Sequence, residues 1–306
     1  MKLLIDAGNT RIKWAVVNAM IRCAQASGET TSHSTRPSQD AGQVTGYGGG
    51  MPFPHLLPQS AGFARNVSEV GEADWVCSGV LPTGQAGKLS QYIAAHLNQR
   101  GAGLHDIEQI WVSNVAGEGI AQHICNIGVG RSMQLHFIVT RETQCGVRNG
   151  YFKASQLGSD RWAALIAAWH LIRGKCLVVN GGTATTIDTL SEQGEFLGGL
   201  ILPGVELMQR NLGAATQLQL TEGKYAPFPL TSADALYSGA IQASCGAIER
   251  QYTLLNDNNV PLLLSGGAAG LLHPYLNQKL FNVPPRVVDN LVLEGLLLIA
   301  QEANGP

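Results

Sequence analysis

Two short segments of this chain carry the residue types that hold a polyphosphate. The first runs Asp6, Ala7, Gly8, Asn9, Thr10, Arg11, Ile12, Lys13, and the second spans Asn180 to Thr186 with Gly181, Gly182 and Thr183 at its centre. Each lies between two strand-like runs. Glycines in such a hairpin let the backbone approach an anion closely, and successive N–H groups form an anion-binding concavity. Asn9, Thr10 and Thr183 add side-chain donors. Lys13 adds a positive charge, and Asp6 can hold a hydrated Mg²⁺ that screens the phosphates. Taken alone, the first segment is equally explained by a plain hairpin with a Gly/Asn turn. The match between LLID-AGNTRIKW and LVVN-GGTATTID favours a structural duplication of two phosphate-gripping hairpins. Neither segment has the G-x-x-x-x-G-K-[ST] pattern of a P-loop.

A second constellation is NGYFKASQLGSDRW, residues 149–162. Asp160 and Arg161 open a helix just after Gly158. An Asp in a cleft can act as general base toward a substrate hydroxyl, and an Arg can grip a substrate carboxylate with two parallel hydrogen bonds. Helix capping by Ser159 or Asp160 competes with that reading, and local sequence alone favours it. A third segment, LLLSGGAAG at 262–270, reads as a strand entering a Gly-rich turn. An adenine or ribose can pack there, although a bare strand–helix corner is the commoner use of such a turn.

These groups need elements to position them. Residues 2–5 and 11–18 read as strands around the turn at Ala7–Gly8–Asn9. Residues 88–99 read as an amphipathic helix, 109–115 and 134–140 as strands, with a helix near 119–127 between them. Trp162, Leu165, Ile166, Trp169 and Ile172 recur at helical spacing and predict a helix over 159–173. Strands follow at 176–179, 185–190 and 195–202. A helix begins after Pro203–Gly204, a short strand covers 262–264, and a helix over 291–302 follows it. The strand–helix alternation predicts an α/β class. Two halves are expected, 1–145 with the first phosphate loop and 146–306 with the substrate motif and the second. Residues 26–74 are rich in Ser, Thr, Gly and Pro and read as long loops.

Bulk properties narrow the function classes. The chain has 306 residues, 45% hydrophobic and 14% charged, enough apolar content for a sizeable core. A net charge of −2 gives no electrostatic case for nucleic acid or an anionic membrane surface. No apolar run approaches the roughly 20 residues of a membrane span, and the first ten residues lack a signal-peptide pattern. The six cysteines form no CxxC pair, and the eight histidines form no i,i+4 metal pair. Reduced thiols in a cytoplasmic protein are expected.

The motifs DAGNTRIKW, SNVAG, GYFKASQLGSDRW, GGTATTID, GGLILPG, LSGGAAG and NLVLEGL occur in one order. Together they resemble the type III pantothenate kinases, including the subgroup named Bvg accessory factor. The likeness covers roughly residues 1–18 and 110–300. It implies a duplicated actin-like fold of the sugar-kinase/Hsp70, ribonuclease H-like type, with the active site in the cleft between two domains, and a homodimer. The implied reaction is ATP-dependent phosphorylation of pantothenate to 4′-phosphopantothenate, the first step of coenzyme A synthesis, with Mg²⁺ and a monovalent cation, K⁺ or NH₄⁺. Carried over by position, Asp6 to Lys13 and Thr183 contact ATP. Asp160 is the catalytic base, and Tyr151, Gly158, Ser159, Arg161 and Ser232 contact pantothenate. Many members of the family carry an Asp at the position of Asn180 that binds the monovalent cation; the amide can still ligate, without the charge. Ser232 stands in place of a Thr, and Ala154 in place of a frequent Pro. The alternatives are a non-catalytic regulator of the same fold and a kinase for another polyol or sugar.

Overall fold

The computed structural model describes residues 1–18, 75–216 and 222–305. The loops expected over 26–74 lie outside the described residues. Two mixed sheets form the framework. In the first, β1 (Lys2–Ala7) and β2 (Arg11–Val17) are an antiparallel hairpin, β3 (Trp75–Pro82) extends it, and β4 (Gln109–Asn114) and β5 (Gln134–Phe137) add parallel strands beyond β1. The order is β3-β2-β1-β4-β5. The central strand KLLIDA is apolar because both its faces are covered. Leu3, Ile5 and Ala7 enter one core with Leu89, Ile93 and Leu97 of α1 (Leu89–Asn98) and with Ile124 and Ile127 of α2 (Glu118–Gly128).

The second sheet repeats this plan. It contains β6 (Thr143–Gln144), β7 (Val147–Asn149), β8 (Cys176–Gly181), β9 (Ala184–Leu190), β10 (Glu195–Pro203), β11 (Leu262–Ser265) and β12 (Arg286–Val287). Its order is β12-β11-β8-β9-β10-β7-β6. Here β8 pairs antiparallel with β9, β9 antiparallel with β10, and β11 lies parallel to β8 with β12 beyond it. Five strands of each sheet therefore share one topology, and β7 and β6 are added at one edge. The duplication suggested by the two hairpins extends to the strand pairings around them. The second sheet begins at Thr143.

The helix α3 (Ser159–Ile172) is buried continuously from Arg161 to Ala168. A helix apolar on all sides sits inside a fold, and α3 packs on β4 of the first sheet and on β8 and β9 of the second. Against it lies α7 (Leu291–Ala303), which also packs on β1 and β4. The two helices approach so closely that a Cβ on Gly295 would stand 1.9 Å from the Ala163 carbonyl oxygen. Outside the second sheet, α4 (Val205–Thr216) and α5 (Ser232–Thr253) pack together, and α6 (Ala269–Leu272) follows the Gly-rich corner after β11. Among the described residues no helix is long and apolar enough to cross a membrane, and Cys77, Cys125, Cys145, Cys176 and Cys245 are free thiols.

Candidate active site

The turns of the two hairpins meet. Gly8 closes the first by donating its N–H to the Arg11 carbonyl (3.1 Å), and Gly182 closes the second by donating to Ala184 (2.9 Å). The Thr10 and Thr183 hydroxyls, 173 residues apart, lie 2.6 Å from one another. Each turn is anchored from behind. Thr83, just after β3, donates through its hydroxyl to the Gly8 carbonyl (2.7 Å) and through its N–H to Thr10 (3.0 Å). The second turn is held by the N–H of Gly204 on the Thr183 carbonyl (2.8 Å) and that of Ala268 on Gly181 (3.0 Å). Gly266 has φ +88°, and a Cβ there would come within 2.3 Å of the Gly181 oxygen and 2.5 Å of Asn180 Oδ1. Glycine is required at that corner.

A cleft of about 380 Å³ opens between the hairpins. It is lined by Asp6, Lys13, Asp160, Asn180 and Thr186, and by Gly8, Asn9, Thr10, Arg11 and Thr183 of the two turns. Asp6 faces Lys13 in the β1–β2 register, as Asn180 faces Thr186 in β8–β9. Gly266, Gly267, Ala268 and Leu271 line the cleft as well, so the corner after β11 is both a strand–helix turn and a wall of the site. Sequence reasoning missed the wall formed by α4, with Val205, Glu206 and Arg210, and Tyr237 of α5.

The Asp160 Oδ1 accepts the N–H of Arg161 at 2.8 Å, and the same carboxyl lines the cleft. The N-cap of α3 is Gly158, with no side-chain cap, so neither Ser159 nor Asp160 is the cap that local sequence favoured. A Cβ on Gly158 would lie 2.6 Å from Asp160 Oδ1, so the bare glycine leaves the carboxyl room. Burial pushes the Asp160 carboxyl above the usual range, against the pull of the Arg161 N–H and charge. Asp6 is pushed up to about 7, first by burial and then by the Asp160 charge, with Lys13 opposing. Two buried carboxyls lining one cleft beside the Gly8–Thr10 turn are oxygen ligands of the kind that suit a divalent cation.

The remaining expected residues are placed differently. Ala7 and Ile12 point into the core of the first sheet, fully buried, so only their backbone is available to a nucleotide. Tyr151, Gly158, Ser159, Arg161 and Ser232 are not among the residues lining the cleft. The Ser159 hydroxyl is paired with that of Ser113 on β4 at 2.9 Å. Ser232 is exposed in the first turn of α5, beside the N-cap Thr231. Arg161 corrects one expectation. Its two parallel hydrogen bonds go to Asp188 of β9, not outward: Nε donates at 3.2 and 3.1 Å to the two carboxylate oxygens and Nη2 donates to Oδ1. Only Nη1 turns elsewhere, to the Tyr151 hydroxyl at 3.1 Å. Asp188 was visible only as the last residue of GGTATTID, inside the strand expected over 185–190.

Duplicated sheets with a hairpin from each half over one cleft define the actin-like, sugar-kinase class of fold. The structure of a Sinorhizobium meliloti protein assigned as a 2-dehydro-3-deoxygalactonokinase shares it, with a TM-score of 0.52 at 13% identity over 100% of both chains. A Campylobacter jejuni structure assigned to the Baf family of transcriptional activators gives 0.50 at 18% identity, covering 99% of this chain and 100% of that one. Residues 67–254 match the family model described as type III pantothenate kinase. Relatives of that name from Nitrosospira multiformis and Aromatoleum aromaticum are 44% identical over 238 residues (76% of this chain, 85% of theirs) and 38% identical over 306 residues (99% and 98%). The chain belongs to the type III pantothenate kinase family.

Proposed function

We propose that this protein transfers the γ-phosphate of ATP to the primary hydroxyl of pantothenate, forming 4′-phosphopantothenate, the first step of coenzyme A synthesis. The observation that carries the reading is the presence of Asp160 in the same cleft as both phosphate hairpins. Backbone N–H groups of Asn9, Thr10 and Thr183 cradle the phosphates, with Lys13 and Arg11 adding charge. Asp160 takes the proton of the attacking hydroxyl, its burial keeping it basic enough to do so. Positioning and electrostatic stabilisation supply most of the rate in this chemistry.

Asp6 is the residue suited to a hydrated Mg²⁺, which supplies neutralisation of the phosphate charge when bound. Asn180 offers its amide oxygen to a K⁺ or NH₄⁺ ion, held in place by the tight approach of Gly266. Tyr151, Gly158, Ser159, Arg161 and Ser232 are proposed to contact pantothenate, Arg161 through Nη1 alone. The protein is proposed to act in the cytoplasm as a homodimer of two-domain chains. The regulator reading has less support, since both cleft acids and both turns are kept and the relatives above are named as kinases.

The test is to incubate the purified protein with ATP, Mg²⁺ and pantothenate, with K⁺, NH₄⁺ or neither. ADP and phosphopantothenate should form in equal amounts. Absence of ADP under every salt would overturn the kinase reading, and ADP only with a different hydroxyl substrate would overturn the choice of pantothenate.

A further inference from the structure

Asp188 and Arg161 form a buried ion pair with side chains 3% and 5% exposed. It is built with care. The guanidinium fork engages both carboxylate oxygens, and the Phe196 and Tyr151 rings flank it with centroids 5.6 and 5.8 Å from Cζ. On the neighbouring strand, Gly199 stands opposite Asp188. A Cβ there would lie 2.1 Å from Asp188 Oδ1 and 2.9 Å from Arg161 Nη2, so β10 leaves a hole for the pair. Stability alone does not account for this arrangement. A buried ion pair is commonly no better than apolar residues of the same volume, because desolvation offsets the attraction.

What the pair does provide is direction. With Nε and Nη2 held by Asp188, the single edge left is Nη1, and it meets the Tyr151 hydroxyl at 3.1 Å. The Tyr151 ring tilts on Phe196 with centroids 5.2 Å apart. The Arg161 backbone N–H meanwhile holds the Asp160 carboxyl at 2.8 Å. One arginine thus links the acid in the cleft to a tyrosine beside it, and one buried carboxylate fixes the arginine.

We propose that Asp188 is a positioning residue for the acceptor substrate, acting through Arg161 to set the Tyr151 hydroxyl and the remaining Nη1 edge where pantothenate binds. The proposal rests on the kinase reading above. Asp188 is not among the residues lining the cleft, so its loss is expected to act on the acceptor through Arg161 more than on ATP.

The test uses steady-state kinetics of the full chain with ATP, Mg²⁺ and pantothenate. Asp188→Asn should raise KM for pantothenate about tenfold, the size of one lost charge-assisted hydrogen bond, with KM for ATP unchanged. Tyr151→Phe should also raise KM for pantothenate, and the double variant should be no worse than Asp188→Asn, because both changes break one chain of contacts. Should Asp188→Asn fail to fold, the paired apolar replacement Asp188→Leu with Arg161→Met keeps the volume without a lone buried charge. It should fold and lose pantothenate affinity. The proposal is overturned by a folded single or paired variant with wild-type KM for pantothenate, by equal rises in KM for both substrates, or by effects that multiply in the double variant. A wild-type protein that turns over no pantothenate sinks the kinase reading and the positioning role together, whereas active wild type with unmoved variants sinks the positioning role alone.

Discussion

Asp160 and Asp6 are the two cleft carboxyls on which the proposed chemistry turns, and each has a separable consequence. Asn at 160 keeps an oxygen for the Arg161 N–H, while it removes the proton acceptor. Asp160→Asn should therefore lower turnover by about 10²–10⁴-fold with a melting temperature no lower than wild type, since burial already raises this carboxyl; unchanged turnover in a coupled ADP assay would sink its assignment as base. Asp6 carries a pH signature. Its folded value is raised to about 7, against roughly 3.9 in an unfolded chain. Below that lower value the carboxyl is protonated in both states and costs nothing. Between the two the folded state retains a proton that the unfolded state has lost, so stability falls as pH rises, and the loss is complete above the folded value. In chelator without nucleotide, Asp6→Asn should melt above wild type at pH 8 and converge with it near pH 4, while activity is lost. A constant gap across that range, read by thermal melts, would remove the raised carboxyl from the account. Asp6 stood out in the sequence at the end of a strand before a Gly turn, and Asp160 at the start of a helix just after Gly158. Asp188 did not, because its partner is 27 residues away and only the packing of α3 under β9 brings them together.

At the scale of elements, legibility followed periodicity. The hairpins, α3 and α7 carry strong apolar patterns and form where expected. The strand expected over 134–140 ends early, at Phe137, because the chain then leaves the sheet and the Thr140 hydroxyl donates to the Leu157 carbonyl at 2.8 Å. The longest helix, α5, went unread. Its buried face is built from Ser238, Ala240, Ile241, Ser244, Cys245 and Ile248, and small and hydroxyl residues on a buried face weaken the hydrophobic signal. The Ser244 hydroxyl donates to the Ala240 carbonyl at 2.9 Å, which satisfies it inside the helix. The strand β3 was hidden for another reason: WVCSGVLP follows a low-complexity tract, and its Gly79 makes room for the Trp14 ring, which a Cβ would meet at 2.7 Å. The α3–α7 crossing gives an element-scale prediction with competing signs. Gly→Ala inside a helix is worth about 1 kcal/mol in propensity. At Gly295 the added methyl meets backbone at 1.9 Å, which no side-chain rotation relieves, and forced overpacking costs about 1–3 kcal/mol. Gly295→Ala should lower the urea midpoint; a raised midpoint would mean the helices slide apart freely.

For the whole molecule, the duplicated plan explains why one hairpin from each sheet is needed. In the proposed reading the two turns grip the phosphates together, and the 2.6 Å approach of Thr10 to Thr183 brings hydroxyls from both halves to a single cleft. The matching strand pairings around the turns follow from the same duplication that the two hairpin sequences revealed. The joining of the halves did not show in the sequence, because it depends on α3 packing on strands of both sheets, with α7 against it on the first, and not on any motif. That joining predicts how the protein melts. A helix shared between sheets couples their unfolding, so the described framework should unfold in one calorimetric transition instead of one per sheet. A ligand held by both hairpins stabilises that whole unit, by about 2.7 kcal/mol at a hundredfold excess over Kd. ATP with Mg²⁺ should therefore raise the melting temperature by several degrees without splitting the transition. Thr10→Val and Thr183→Val should each remove much of that rise, since losing a donor on either side weakens the same grip. Two resolved transitions, or a rise that survives loss of Thr183 while depending on Thr10, would show that the nucleotide is held by the first hairpin alone and that the second serves the acceptor side of the cleft.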